Sequence, residues 1–530
     1  QPKMPLRVFS ADQVLIGEFG EEKRNFLPIA EIPKVMRDAV LAIEDARFYK
    51  HGGVDYVGVL RAGLANFGES RSQGASTITM QVARNFYLPT EKTFTRKIYE
   101  ILLALKIESL LSKDQILELY MNQIYLGQRA YGFAAACDTY FNKPIKDISI
   151  AEAAMLAGLP KAPSAYNPVR NPKRATIRQQ YIIDRMFENG FINGKQRDEA
   201  KSEQLHYRTK APIPVHAEYV AEAARSLMHE QYGDEAYTRG LNVYTSINMT
   251  EQTAAYKALR KGLLDFDRRQ SWRGPEAYID LPSDPKQIDV RVAEALEEHP
   301  DSEDIRAAVV LQADPRKLVV AVQSGEQIDI GPDGLKSVGN ALTEKASPKQ
   351  QIRRGAILRI NRDKQGGWYV QQLPEVEGAF VSMDPRTGLI RAMVGGFDFG
   401  RNKFNHVTQA WRQPGSSFKP FIYSAALEKG FTPATVVNDA PLFFDAGTTG
   451  GQAWEPKNYD GKFEGPMALR RGLAKSKNMI SIRVLRSVGA KYAQDWITRF
   501  GFEADKHPAY LTMALGAGSV TPMQMADAYA

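Results

Sequence analysis

Ser416 and Lys419 stand three residues apart in RQPGSSFKPF, residues 412–421. Pro420 has no N–H, so it is tolerated only in the first turn of a helix, where that group has no partner to lose. The stretch therefore predicts a helix that opens near Ser416 and runs on through Phe421, Ile422, Ala425 and Ala426, with Ser416 and Lys419 on one face. Ser417 would point about 100° away from Ser416. A serine hydroxyl is a weak nucleophile without a neighbouring base, and an ammonium cannot take its proton. Bringing a lysine from about 10.4 to near 7 requires roughly 4–5 kcal/mol of desolvation or like-charge repulsion. No carboxylate lies three or four residues either side of Lys419, and Ile422 and Tyr423 follow one turn on, so an apolar setting is expected. S-x-x-K alone is weak and reads better as an N-capping serine with a solvated lysine. What strengthens it is Ser476-Lys477-Asn478, an S-x-N element about sixty residues later.

Two carboxylates form the other candidate set. Glu44 closes an amphipathic segment just before a glycine-containing loop, where it can face a cleft; Glu100 follows Arg96 and Lys97, with Arg96 and Glu100 four apart. Such a pair suits proton transfer at a sugar. It also suits a solvated helix end and a surface ion pair worth only a few tenths of a kcal/mol.

The elements that must hold these groups change character along the chain. Residues 28–165 are helix-rich: PKVMRDAVLAIEDARF puts Val35, Ala39 and Ile43 on one face with Met36 and Val40 beside them, and RKIYEILLALKIESLL, KDQILELYMNQIYLG and SIAEAAMLAGL repeat the pattern. PKAPSAYNPVRNP, with four prolines, breaks it. Two further helical segments, RATIRQQYIIDRMFENG and INGKQRDEAKSEQ, read as a connector. From about Gln270 to Glu375, short alternating runs such as RAAVVLQAD, KLVVAVQSG and AILRINRD indicate a small β barrel or sandwich. GAFVSMDPRTGLIRAMVGG then reads as a hairpin, followed by helices at 417–429, 465–475, 478–487 and 490–500, which argues α/β or α+β. The 530 residues carry a net charge of +8 without a dense Lys/Arg block, so nucleic acid is not an expected partner. Cys137, the single cysteine, excludes an intrachain disulfide and reads as a buried structural thiol. No apolar run reaches bilayer-spanning length. The abrupt start at QPKMPLRVFS leaves two readings open, a soluble protein or an anchor outside these residues.

VSMDPRTGLIRAMVGGFDF, RQPGSSFKPF and KSKNMIS, in this order, resemble the transpeptidase domain of the class A penicillin-binding proteins, the bifunctional peptidoglycan synthases. Independently, AIEDARFYKHGGVD is similar to the E-D-x-x-F-x-x-H-x-G element of the peptidoglycan glycosyltransferases, GASTITMQVARN to their second element, RKIYE to the third and KDQILELYMN to the fourth. Four motifs in order are highly specific. Met80 departs from the pattern, relatives more often carrying glutamine there, while Gln81 is retained. The resemblance implies a mostly-α lysozyme-like glycosyltransferase domain, an α/β penicillin-binding/β-lactamase-like transpeptidase domain, and an inserted small OB-like β domain. The expected limits are 1–165 for the first, 166–239 for a helical linker, 240–269 for an N-terminal piece of the transpeptidase domain, 270–374 for the insert and 375–530 for the rest. The family's third transpeptidase element, K-[ST]-G, does not occur, and TPMQMADAYA opens a helix with no stop signal, so truncation inside a domain is expected.

Carried over by residue, the resemblance implies Glu44 as general base and Glu100 as second carboxylate. Arg84, Lys92, Arg96 and Lys97 would hold a diphosphate, and Ser76, Thr77 and Gln81 would line the same groove. His51 is expected to fix its loop rather than move a proton. Ser416 would be the acylated nucleophile, Lys419 its base, and Ser476 and Asn478 a proton relay and substrate-amide ligand. The implied substrates are lipid II, glycan strands and stem peptides, with β-lactams acylating the same serine. Transpeptidation needs no cofactor; Mg²⁺ or Mn²⁺ would assist glycosyl transfer, although no dedicated metal cluster is visible. The expected setting is the periplasmic face of the bacterial inner membrane, reached through an N-terminal anchor outside these residues, with a regulatory protein on the β insert. VGVLRAGLANF, Val57–Phe67, reads equally as a core helix or a segment dipping into the membrane. A muramidase-like hydrolase or a non-enzymatic wall scaffold are the alternatives; the cationic set argues against the first, the intact Glu44, Glu100, Ser416 and Lys419 against the second.

Overall fold

The computed structural model describes residues 4–20, 26–65, 76–89, 94–208, 215–449 and 451–530. They fall into two compact units built from separated stretches, one of Gln1–Gly20, Pro214–Gln270 and Pro374–Ala530, the other of Glu21–Ile213 and Ser271–Leu373.

The second of these contains the helix-rich segment. Helices Lys34–Glu44, Ile78–Tyr87, Lys113–Gln123, Phe133–Phe141, Ile150–Ala157 and Pro172–Glu188 pack round Met36, Val40, Ile78, Leu117, Tyr120, Phe133, Tyr140 and Leu156. Capping boxes at Thr77, Ser112 and Ser149 start three of them. The Thr77 box has methionine where Glu or Gln is usual: the Thr77 N–H donates to the Met80 sulfur at 3.4 Å. Cys137 is buried in this core, and burial pushes its thiol up to about 12, as a structural cysteine requires.

The β segment is an antiparallel sheet in the order Ala277–Tyr278, Ala356–Arg362, Arg306–Asp314, Lys317–Val322, Gln327–Ile330, with Trp368–Gln371 also paired to Ala356–Arg362. Within it the sequence reading missed a helix, Pro285–Glu297, opened by the Asp284 cap and a proline in its first turn. Its Ala293 is buried in the helical core, and Glu297 accepts from the Ser164 hydroxyl at 2.8 Å. Arg174, buried, donates to Asp289 at 2.9 Å. The β segment is therefore packed onto the helices of its unit through this element and through the turn after Lys317–Val322, where the Gln323 carbonyl accepts from Arg174.

In the other unit, Leu6–Phe9 pairs antiparallel with Leu15–Phe19 and parallel with Asn242–Tyr244. Residues 6–19, expected with the helical domain, thus join the strand that begins the later part of the chain. The hairpin through DPRTG forms as expected, between Phe380–Met383 and Ile390–Val394. Residues 465–475, expected as one helix, divide: Gly465–Ala468 pairs with Val436–Asp439, and only Leu469–Ala474 is helical. Pro466 fits that edge pairing and would not fit a helix interior. Helices Lys419–Glu428 and Asn478–Val488 pack on each other over Phe418, Ile422, Met479, Ile480 and Leu485.

Candidate active sites

Glu44 is the last residue of its helix, and the chain turns sharply at Asp45. The Asp45 carboxylate fixes that turn. It accepts from His51 Nε2 at 2.7 Å and from the Ile78 N–H, the first of the helix Ile78–Tyr87, at 3.1 Å, where the helix dipole favours an anion. His51 Nδ1 accepts from the Gly53 N–H at 3.1 Å, so the ring's proton sits on Nε2 and both nitrogens are engaged. His51 holds the loop, as expected. Thr77 completes the brace: its hydroxyl donates to the Gly53 carbonyl at 2.7 Å and accepts from the Met80 N–H at 3.1 Å.

Against this frame Gln81 Nε2 donates to Glu44 Oε2 at 2.9 Å, and Gln81 Oε1 accepts from the Tyr120 hydroxyl at 3.4 Å. Among the described residues Glu44 Oε1 is buried with no hydrogen-bond partner, and so is the Ser76 hydroxyl. Buried polar atoms are normally paired, so these two are the groove's open acceptor and open hydroxyl. Tyr120 is fully buried; burial and the Glu44 charge push its phenol well above the usual range, while Arg84 works against them. It therefore stays protonated and donates. Sequence reasoning overlooked Tyr120, although it stands in the fourth motif, KDQILELYMN.

Glu100, on the helix Phe94–Leu110, is buried and accepts from Lys97 Nζ at 2.8 Å. Arg96 is half-buried one turn earlier, and no hydrogen bond among the described residues joins Glu44 to Glu100. Lys92 lies outside the described residues. On the helix Tyr56–Ala65, Tyr56, Val57, Val59 and Leu60 are exposed, as are Ile98, Tyr99, Leu102 and Leu105 on Phe94–Leu110. A core role for 57–60 is thereby excluded. Among the described residues no helix is long and apolar enough to cross a membrane.

The second site forms where a 3-10 turn, Gly415–Phe418, runs into the helix Lys419–Glu428. Ser416 is exposed, whereas Lys419 is fully buried. Its Nζ donates to the Ser476 carbonyl at 2.8 Å, the Ser476 hydroxyl at 3.0 Å and Asn478 Oδ1 at 2.7 Å. Burial pulls the amine down to about 8. Lys419 is buried and gathers with Ser476 and Asn478, but its amine meets three polar acceptors rather than the apolar setting expected; no hydrogen bond in the structure joins Nζ to Ser416. Asn478 Nδ2 donates one proton to the Lys457 carbonyl at 2.8 Å and keeps a second. Ser476 has φ +51 in a Schellman turn that ends Leu469–Ala474, with its N–H on the Leu473 carbonyl and the Lys477 N–H on that of Gly472, both at 2.9 Å. Glycine is the usual residue there; serine brings the hydroxyl to the amine.

Family models match three stretches of the chain: Transglycosylase over 12–187, Penicillin-binding protein OB-like domain over 272–376, and Penicillin binding protein transpeptidase domain over 378–530. The chain is 52% identical over 532 residues to Penicillin-binding protein 1A of Neisseria lactamica, and 43% identical over 538 residues to that of Pseudomonas aeruginosa. Those alignments take in 100% of this chain and 66% and 65% of the two proteins, so the chain spans about two thirds of the length of the curated relatives it matches. The crystal structure of Penicillin-Binding Protein 1A from Haemophilus influenzae aligns with all of this chain and 68% of that one, at 33% identity and a TM-score of 0.63.

Proposed function

The chain belongs to the class A penicillin-binding proteins, and from that premise we propose that it builds peptidoglycan twice over, polymerising lipid II into glycan strands and cross-linking stem peptides through an acyl-serine. The observation that carries the reading is that one chain holds both an unpartnered, braced Glu44 and a Lys419 whose amine converges on Ser476 and Asn478.

For glycan synthesis, Glu44 takes the proton of the acceptor 4-hydroxyl through Oε1, the atom that Gln81 leaves open. The new glycosidic bond forms as the donor's bond to its diphosphate breaks. Arg84, Lys92, Arg96 and Lys97 compensate the departing charge, Glu100 assists beside Lys97, and the Ser76 hydroxyl is free to bind substrate. Thr77 and Gln81 act differently, Thr77 bracing the wall and Gln81 aiming Glu44. Among the described residues no three His, Cys, Asp or Glu side chains gather as a metal cage, so a Mg²⁺ or Mn²⁺ assisting glycosyl transfer would rest on one or two carboxylates and the substrate diphosphate, and no step is routed through one.

For cross-linking, Ser416 Oγ attacks the carbonyl of the penultimate D-Ala. The ester forms as the D-Ala-D-Ala bond breaks and the terminal D-Ala leaves carrying a proton. The amine of a second stem peptide then displaces Ser416, which regains its own. An amine making three donations is an ammonium, and it must lose one proton to act as base. Of its three partners the Ser476 carbonyl and Asn478 Oδ1 can only accept, whereas the Ser476 hydroxyl can turn round and donate to the amine's lone pair. Ser476 is thus the route by which the proton leaves, and the spare Asn478 N–H is left for the substrate amide. β-Lactams acylate Ser416 by the same chemistry.

The exposed apolar side chains of Tyr56–Ala65 and Phe94–Leu110 support a groove that rests on the periplasmic face of the inner membrane, where a lipid-linked substrate lies, with an anchor outside the described residues. The β insert, which holds no catalytic cluster, is assigned by elimination to a regulatory protein. Labelled penicillin should attach to Ser416 and not to a Ser416→Ala protein, and lipid II should be consumed by wild type but not by Glu44→Gln. Label retained at another residue would sink the site assignment; shortening of purified glycan strands without growth would favour a hydrolase.

A further inference from the structure

Between Ser476 and Asn478, whose side chains face Lys419, the Lys477 side chain turns into the protein and is 2% exposed. Its Nζ lies 2.9 Å from Glu464 Oε2, 3.2 Å from Asp460 Oδ2 and 3.5 Å from Asp439 Oδ2. Asp439, fully buried at the end of the strand Val436–Asp439, is tied down further: it accepts from Asn458 Nδ2 at 2.7 Å and from the Glu464 N–H at 2.9 Å. Asn458 Oδ1 in turn accepts from the Met479 N–H at 3.2 Å, one residue beyond Asn478. Glu464 also pairs with Lys475 at 2.6 Å and, more loosely, with Arg471 at 3.9 Å. The three carboxylates thus face three cations, and Lys477 is the one that reaches the buried carboxylate.

This arrangement has two consequences. A serine in the left-handed region is strained, and the backbone turn alone does not decide where Ser476 and Asn478 aim; an anchored residue between them does. Charge balance matters as well. The Lys477 charge is met where it stands, by Glu464, Asp460 and Asp439 within 3.5 Å, rather than left facing the amine of Lys419. We propose that Lys477 is a positioning residue for acylation of Ser416: clamped by Asp439, Asp460 and Glu464, it aims Ser476 and Asn478 at Lys419 and keeps the cluster beneath them electrically neutral.

The inference rests on the acyl-serine reading, and one experiment separates the two. In the intact protein, the rate of labelling by fluorescent penicillin is measured from pH 5 to pH 10 (about three pH units below and two above the turning point) for wild type, Lys477→Met, Lys477→Arg, Asp439→Asn and the Asp439→Asn/Lys477→Met pair. Lys477→Met leaves a buried carboxylate without its cation. It should slow labelling about 100-fold at neutral pH, the size of effect that an ångström of misplacement produces. Its surplus negative charge should also hold the Lys419 proton more tightly and move the rising limb to higher pH. Asp439→Asn leaves surplus positive charge and should move the limb to lower pH. The double variant should bring it back, and Lys477→Arg should stay within about tenfold of wild type. The other titratable side chains on the elements around Lys419, namely Tyr423, Glu428, Arg483, Arg486, Lys491, Tyr492, Asp495, His507 and Tyr529, are the same in every variant. A purely structural role would slow labelling without moving the limb in opposite directions. Limbs that stay in place, or that both move the same way, overturn the inference; should Lys477→Met not fold, an unmoved or upward-moving limb in Asp439→Asn does so alone. A wild type that takes no label overturns the acyl-serine reading, and this inference with it.

Discussion

Replacing Ser476 by glycine and by alanine isolates the strain stored at the second site. Both variants lose the hydroxyl that lies 3.0 Å from Lys419 Nζ. They differ in the backbone. At φ +51, as C′ residue of a Schellman turn, a Cβ costs about 1–2 kcal/mol, and glycine escapes that cost. Glycine elsewhere in regular structure is worse than alanine by roughly 0.5–1 kcal/mol because it has more freedom to lose. Subtracting the second from the first leaves Ser476→Gly more stable than Ser476→Ala by about 0.5–1 kcal/mol, the reverse of the usual order. For a unit of this size that is roughly 1–4 °C in the thermal transition. The transition to read is the one that covalent penicillin shifts. Labelling at Ser416 should fall about 100-fold or more in both variants, because neither can return the amine's proton through residue 476. An alanine variant as stable as the glycine variant, or more so, would refute the claim that residue 476 is held against its preference. Undiminished labelling in either would refute the proton route.

Penicillin labelling of wild type should rise with pH, reach half its plateau near 8 and level off about one to two pH units higher, since the buried amine is the base only when neutral and its midpoint lies at about 8; a profile still below half its plateau at pH 10 would mean a solvated lysine. Tyr120→Phe leaves Gln81 Oε1 without its donor in a buried setting, which should cost about 1–3 kcal/mol of stability and slow lipid II consumption while leaving penicillin labelling untouched. In the β insert, burial raises Glu276, but hydrogen bonds from His299 and Arg359 outweigh it and bring the carboxyl to about 2. Its folded value lies below its ordinary one, so the stabilisation is complete above about 4.5 and disappears as pH falls towards 2. Glu276→Gln should therefore destabilise that sheet by up to about 3 kcal/mol at pH 7 and by progressively less below pH 4.5, measured by urea unfolding.

The helix start at Ser416 and the buried setting of Lys419 were legible because one proline and the absence of nearby carboxylates fix them locally. The hairpin through DPRTG and the strands of the insert were legible for the same reason. What escaped was decided by partners distant in sequence. Residues 465–468 became a strand because Val436–Asp439 lies beside them, and residues 6–9 left the helical part because Asn242–Tyr244 pairs with them. The helix Pro285–Glu297 had its own signals, an Asp-Pro start and apolar Val292, Ala293 and Leu296, and was overlooked among the strands. Tyr120 and the carboxylates around Lys477 could not be ranked from sequence at all, since each matters only through the atom it faces.

The two sites solve opposite problems with the same device. A base must be available at neutral pH, yet a carboxylate left in water is too well solvated and an amine left in water is too strongly protonated. The chain handles both by controlling which partners the group keeps. Among the described residues Glu44 receives a single neutral donor, Gln81, whose other end is held by the protonated Tyr120, so one oxygen is left open for substrate. Lys419 is buried and offered acceptors only, one of which can reverse its role. Adding a donor near Glu44 Oε1 would quench the first site; removing the reversible partner would lock the second as an ammonium. Sequence motifs preserve these side chains as letters, but what the chemistry needs is the absence of one hydrogen bond in the first case and the reversibility of one in the second.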